Sequence, residues 1–168
     1  MRRDVRVEPF MEDHMVCVVP AGHEWADEEV VVKELRQATL VARELGSGSR
    51  RIVEQALEQA GVEVKKLRLA MTFDSTEGLL SAVEAGLGIA FVSRWAVRNQ
   101  LALGTLKLAR IRGLNLARMF SLATVAGPEV AGVARIFQRF VLQRAEELAP
   151  RATGRKLIGR GGSPEGRS

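Results

Sequence analysis

The 168-residue chain is predicted to be an α/β protein by two features: apolar runs of strand length alternate with helical patterns, and two of those helices stop at glycines. Connections of a few residues between strand, helix and strand are those of a parallel sheet covered by its crossover helices.

The strand candidates are residues 15–19, 40–42, 67–73, 89–92 and 120–125, all apolar enough for buried strands. Between them, residues 50–60 place Ile52, Val53, Ala56, Leu57 and Ala60 on one helical face, and residues 76–85 do the same with Leu79, Leu80 and Val83. Gly61 and Gly86 follow these helices where a left-handed cap is expected. The longest helix, 129–148, carries Val130, Val133, Phe137, Phe140, Val141 and Leu148 in one stripe that must dock on an apolar surface. From residue 150 onward the chain is rich in Gly, Arg and Ser without periodicity, and reads as a disordered basic tail.

Composition excludes several classes. Hydrophobic residues make up 46% and charged residues 27%, the balance of a soluble globular protein. No apolar run approaches the roughly 18 to 20 residues of a membrane span, and Met1-Arg2-Arg3-Asp4 does not open a signal peptide, so a cytoplasmic location without membrane contact is expected. Cys17 is the single cysteine, and His14 and His23 lack CxxC or HExxH companions, so neither a disulfide nor a metal or other cofactor is expected. The net charge of +5 is concentrated in residues 151–168, with five basic residues against one acidic, and the rest of the chain carries only +1. A nearly neutral body does not read DNA on its own face.

Two segments have the geometry of a ligand site, a strand end feeding a helix start. The first is Arg43-Glu44-Leu45-Gly46-Ser47-Gly48-Ser49-Arg50, where glycines let backbone N–H groups and serine hydroxyls approach a ligand. The second is Thr72-Phe73-Asp74-Ser75-Thr76-Glu77. Both turns fall at the carboxyl edge of a parallel sheet, where helix N-termini favour anions. The competing reading is helix capping: Ser47 or Ser49 caps the first helix, and Asp74 caps the second with Glu77 in a capping box. On local sequence alone capping is the stronger of the two. Enzymatic readings fail on spacing. Gly86-Leu87-Gly88 is followed by Phe91 where a dinucleotide fingerprint needs glycine, so it serves as helix cap and close strand entry. Neither Ser47 nor Ser49 has the Gly-x-Ser-x-Gly frame of a hydrolase, and Arg43, Glu44 and Asp74 are the only local candidates for the titratable cluster an enzyme would require. His14 reads as a half-exposed edge residue, Cys17 as a small buried hydrophobe, and Trp25 and Trp95 as packing residues.

Four segments occur together in order and spacing: Glu12-Asp13-His14 through Val18-Val19-Pro20-Ala21-Gly22-His23, the run 43–50, Asp74-Ser75-Thr76-Glu77, and Ala85-Gly86-Leu87-Gly88-Ile89-Ala90-Phe91-Val92-Ser93-Arg94. In this the chain, over roughly residues 5–143, resembles the effector-binding (substrate-binding) domain of LysR-type transcriptional regulators. The family's usual Thr after Gly-Ser-Gly is Ser49 here, which keeps the hydroxyl, and its common His-Pro is His23-Glu24. The resemblance implies a type 2 periplasmic-binding-protein-like fold, with two subdomains joined by crossing strands around a small effector. On that template residues 1–13 would be a remnant of subdomain one with a crossing strand. Residues 14–115 would be effector-binding subdomain two, 116–149 the returning strand and long helix of subdomain one, and 150–168 the tail.

The family's winged helix-turn-helix and the first half of subdomain one have no counterpart in the chain, which is therefore expected to be an N-terminally truncated member. DNA would be contacted only through that domain in an intact protein. The implied function is a non-enzymatic sensor for a small anionic metabolite, held by Ser47, Gly48 and Ser49 from one turn and Ser75 and Thr76 from the other. A homo-oligomer is also implied. A stand-alone small-molecule-binding protein of the same fold, or an enzyme using the same cleft, is the alternative.

Overall fold

The computed structural model describes residues 5–125 and 132–148. The chain divides into two compact units, Met1–Pro128 and Glu129–Ser168. In the first, the order is β1 (Val5–Pro20), β2 (Glu29–Val31), β3 (Thr39–Arg43), α1 (Gly48–Gln59), β4 (Arg68–Phe73), α2 (Thr76–Glu84), β5 (Ala90–Ser93), α3 (Arg98–Leu103), β6 (Leu106–Arg112) and β7 (Ala117–Val125). Single 3₁₀ turns stand at Val32–Arg36 and Val64–Lys66.

β1 belongs to two pairings in succession. Its first part runs antiparallel to β7, from Val5 opposite Val125 to His14 opposite Ala117, with an irregularity between Pro9 and Met11. Its second part runs antiparallel to both β5 and β6, in the order β2-β6-β1-β5. β3 and β4 pair in parallel, and β3 meets β5 through a parallel bridge between Leu40 and Ile89.

Strand alternation sends side chains to both faces, and a helix covers each. On one face Met15, Cys17, Val19, Leu40, Ile89 and Phe91 bury against Val53 and Leu57 of α1. On the other, Val18, Val41, Ala90 and Val92 bury against Leu79, Leu80 and Val83 of α2. Each of the Val, Leu, Ile, Phe and Met side chains among them contributes about 1.5 to 3 kcal/mol of burial.

Three expectations change. The sheet is mixed where a parallel one was expected, because β1 enters it from the β1–β7 ribbon without a crossover helix and so lies antiparallel to both neighbours. The strand expected as buried over 67–73 is an exposed edge, with Leu69 and Met71 about half exposed, because among the described residues only β3 pairs with it. β6 was not anticipated: Lys107, Arg110 and Arg112 interrupt its apolar pattern, yet Leu106 and Ala109 are buried. β2 and α3, short elements, were missed as well.

Gly61 and Gly86 take the left-handed conformation expected beyond their helices. Gly88 meets the backbone more closely: a Cβ there would lie 2.6 Å from the Thr39 carbonyl oxygen. That approach allows the Ile89 N–H to donate to Thr39 O and the Val41 N–H to Ile89 O, each at 2.9 Å, fastening β5 beside β3. Cys17 is buried, and burial pushes its thiol up to about 12.

In the second unit α4 spans Val133–Leu148. Val133, Phe137, Phe140 and Val141 recur at helical spacing, and the Arg144 guanidinium stands 5.6 Å from the Phe140 ring centroid. The expected helix start at 129, Val130 and the basic tail 150–168 lie outside the described residues. No helix among the described residues is long and apolar enough to cross a membrane.

Candidate functional site

Because β3 and β4 are parallel, their carboxyl ends, Arg43 and Phe73, emerge at one edge of the sheet, and the Glu44 N–H donates to Phe73 O at 2.9 Å. The two sequence-predicted turns therefore stand side by side. Arg43 ties them together. Its Nη1 donates to Thr76 Oγ1 at 3.1 Å and its Nη2 to the Asp74 carbonyl at 3.0 Å, while Nε and Nη2 grip the Glu44 carboxylate at 2.9 and 3.2 Å. These hydrogen bonds hold the Glu44 carboxyl below its ordinary range. Arg50 fastens α1 to the same strand end, donating from Nη1 to the Arg43 carbonyl at 3.0 Å and pairing with Glu54 at 2.6 Å.

The capping reading applies differently at each turn. Ser75, not Asp74, caps α2, its Oγ accepting from the Gly78 N–H at 3.0 Å. Asp74 takes part through its backbone, because the helix starts one residue later than the Asp74 cap requires. Ser47 occupies the cap position of α1 but makes no side-chain cap bond. The Ser49 hydroxyl caps nothing either, and instead accepts from Arg118 Nη1 at 3.2 Å.

Arg118 leads to the β1–β7 pair. It lies opposite Asp13 in the β1–β7 register and donates from Nε to Asp13 Oδ2 at 2.7 Å. Asp13, 1% exposed, is the buried charged residue of the described chain, and its other oxygen accepts from Ser93 Oγ at 2.9 Å. The Arg118 guanidinium also lies 4.6 Å from the Phe120 ring centroid, within cation–π range.

An open cleft of about 400 Å³ has Arg43, Ser49, Thr76, Ser93, Trp95 and Arg118 in its wall. Of the sequence-predicted binding residues, Ser49 and Thr76 face this cleft, whereas Ser47, Gly48 and Ser75 stand at the helix starts beside it without lining it. A neighbouring groove of about 410 Å³ between α1 and the β3–β4 pair is walled mainly by apolar side chains such as Val53, Leu57, Leu67 and Leu69.

Sequence reasoning missed Asp13, Ser93 and Arg118 as site residues. One signal was present: Asp13 is in phase with Met15, Cys17 and Val19, so strand alternation alone turns a carboxylate inward. His14, one residue on, points to the exposed side beside Glu12 at 3.3 Å.

The arrangement is suited to binding. Ser49 and Thr76 each accept an N–H from a guanidinium, which leaves their own O–H protons to donate to an occupant. Neither hydroxyl is hydrogen-bonded to a base, and no group of three His, Cys, Asp or Glu among the described residues could hold a metal ion.

A family model described as the LysR substrate binding domain matches residues 1–146. A probable RuBisCO transcriptional regulator of Cyanophora paradoxa is 31% identical over 158 residues, covering 94% of this chain and 49% of the relative. One from Guillardia theta is 29% identical over 143 residues, covering 84% and 46%. The chain thus spans about half the length of these curated relatives. Among solved structures, the Synechocystis PCC6803 CcmR regulatory domain in complex with 2-PG superposes with a TM-score of 0.78 at 20% identity, over 89% of this chain and 71% of that one. The effector binding domain of QuiR in complex with shikimate gives 0.73 at 16% identity, over 88% and 68%.

Proposed function

The chain belongs to the LysR substrate-binding domain family, and from that premise we propose that the cleft beside Ser49 and Thr76 receives a small anionic effector. The observation that carries this reading is the pair of hydroxyls held as acceptors by Arg43 and Arg118, which turns both into donors toward the cleft. Arginine charge nearby favours an acidic occupant, although Glu44 and Asp13 offset much of it, so directed hydrogen bonds rather than net charge select the ligand. Ser47 and Gly48 at the start of α1, and Ser75 at the start of α2, add the favourable end of two helix dipoles. That two similar domains hold 2-PG and shikimate supports a small molecule as the ligand.

In an intact regulator the residues 14–115 would form one wall, and residues 1–13 and 116–149 would contribute crossing strands and part of the other. An effector bridging both walls shifts their arrangement only to the extent that it binds one arrangement more tightly. That shift would be passed to DNA-reading arms through a homo-oligomer, in the cytoplasm. No catalytic step is assigned to the cleft.

Calorimetric titration of the chain with 2-PG and shikimate, repeated on Ser49→Ala/Thr76→Ala, tests the proposal. Each lost hydrogen bond to a charged acceptor is worth about 1.5 to 3 kcal/mol, so the double variant should bind at least about a hundredfold more weakly. Equal affinity in wild type and double variant would refute it.

A further inference from the structure

We infer that Asp13 and Arg118 are positioning residues for this cleft: the pair holds the Ser49 hydroxyl as a donor and so ties ligand affinity to the crossing strands. The inference rests on the effector-binding reading given above.

Asp13 poses the question. A carboxylate 1% exposed in the middle of a sheet has left water at considerable cost, and a buried ion pair is commonly no more stable than an apolar pair of the same size. Stability alone therefore does not account for it. What the pair does provide is orientation. Asp13 takes Arg118 Nε at 2.7 Å, Ser93 fixes the other carboxylate oxygen at 2.9 Å, and the guanidinium face lies against Phe120. With Nε and the ring plane fixed, Nη1 can point in one direction, and Ser49 Oγ lies there at 3.2 Å.

A serine hydroxyl has one proton. Once its oxygen accepts from a guanidinium, that proton is directed away from Arg118, and the hydrogen bond polarises it as a donor. Ser93 shows the opposite outcome: its proton is given to Asp13, so although it lines the cleft it offers an occupant no donor. The two serines differ in role because Asp13 and Arg118 differ in charge. The chain of contacts also joins three elements far apart in sequence, with Asp13 on β1, Arg118 on β7 and Ser49 on α1. An anion on Ser49 strengthens the donor and, through it, the grip of Arg118 on the α1 turn.

The test uses the full 168-residue chain, with 2-PG and inorganic sulfate as probes. Arg118→Met alone strands a buried carboxylate, so Asp13→Leu/Arg118→Met is the variant of choice, with Ser49→Ala and the triple variant completing a cycle. The expected result is an affinity loss of about tenfold or more for Asp13→Leu/Arg118→Met, a similar loss for Ser49→Ala, and no further loss in the triple variant. Arg118→Lys should retain the charge opposite Asp13 yet lose affinity, because an ammonium lacks the fork that reaches both Asp13 and Ser49. Additive losses would overturn positioning in favour of direct contact between Arg118 and the ligand. Wild-type affinity in Asp13→Leu/Arg118→Met, with Ser49→Ala still impaired, would overturn the inference and leave the cleft assignment intact. If wild type binds neither probe, the cleft assignment fails for them, and the inference, which rests on it, fails with it.

Discussion

Gly88→Ala is a sharp probe of how β5 is fastened beside β3. The added Cβ would sit 2.6 Å from Thr39 O, about 0.4 Å inside the 3.0 Å limit that real contacts respect. The obstacle is a backbone carbonyl, so no rotamer change relieves it. That same carbonyl accepts the Ile89 N–H at 2.9 Å, and the next bond in the register, Val41 N–H to Ile89 O, is also 2.9 Å. Separating the strands enough to admit the methyl weakens both, near 1 kcal/mol each, on top of an overpacking cost of roughly 1 to 3 kcal/mol. The expected loss is therefore about 3 to 5 kcal/mol, or roughly 10 to 20 °C in melting temperature for a unit of this size. Gly86→Ala is the matched control. Its added Cβ meets nothing within 4 Å, so only the left-handed φ of 78° is penalised, at about 1 to 2 kcal/mol. Urea denaturation followed by circular dichroism of the two variants measures the difference. Equal losses, or a Gly88→Ala protein as stable as wild type, would show that the β3–β5 contact does not depend on this approach.

Cys17 should resist thiol reagents at pH 8 in the folded protein and react on unfolding, as followed by labelling and mass spectrometry, because burial raises its pKa from 9.0 to about 12. The sign follows: the neutral thiol's contribution to stability is complete below about pH 9 and is lost as pH rises toward 12, which alkaline denaturation of wild type against Cys17→Ala would reveal. The α4 stripe of Val133, Phe137, Phe140 and Val141 should drive self-association at high micromolar concentration, and Phe137→Glu should abolish it; equal sedimentation of the two proteins would count against that role.

The fold family was legible from four segments in order and spacing, and what the residues themselves told beyond that was local. Gly61 and Gly86 marked helix ends because the left-handed conformation has few other occupants, and the segments 43–50 and 72–77 were recognisable as strand-to-helix turns from composition. Ser49 and Thr76 emerged from those turns. Their partners did not, because Arg118 is 69 residues from Ser49 and 105 from Asp13, and only the pairing of β1 with β7 brings them together. Likewise β4 and β5 have similar apolar runs, and nothing local distinguishes the edge strand from the buried one. Placement in a sheet is a property of neighbours. Asp13 was the exception that could have been found, a carboxylate on the inward phase of a strand.

The double pairing of β1 restricts where this chain can change length. From Met11 opposite Phe120 to His14 opposite Ala117, and at once from Met15 opposite Ser93 onward, each residue has a fixed partner. An insertion of one residue in that stretch would turn Asp13 outward or send Met15 and Cys17 to the wrong face, since side chains reverse with every step. Before Met11 the situation differs, because the register already slips past Phe10 and the two strands tolerate unequal counts there. Insertions and deletions among homologous chains should accordingly collect at or before Phe10, while the span from Asp13 to Val19 keeps its length whatever its residues become.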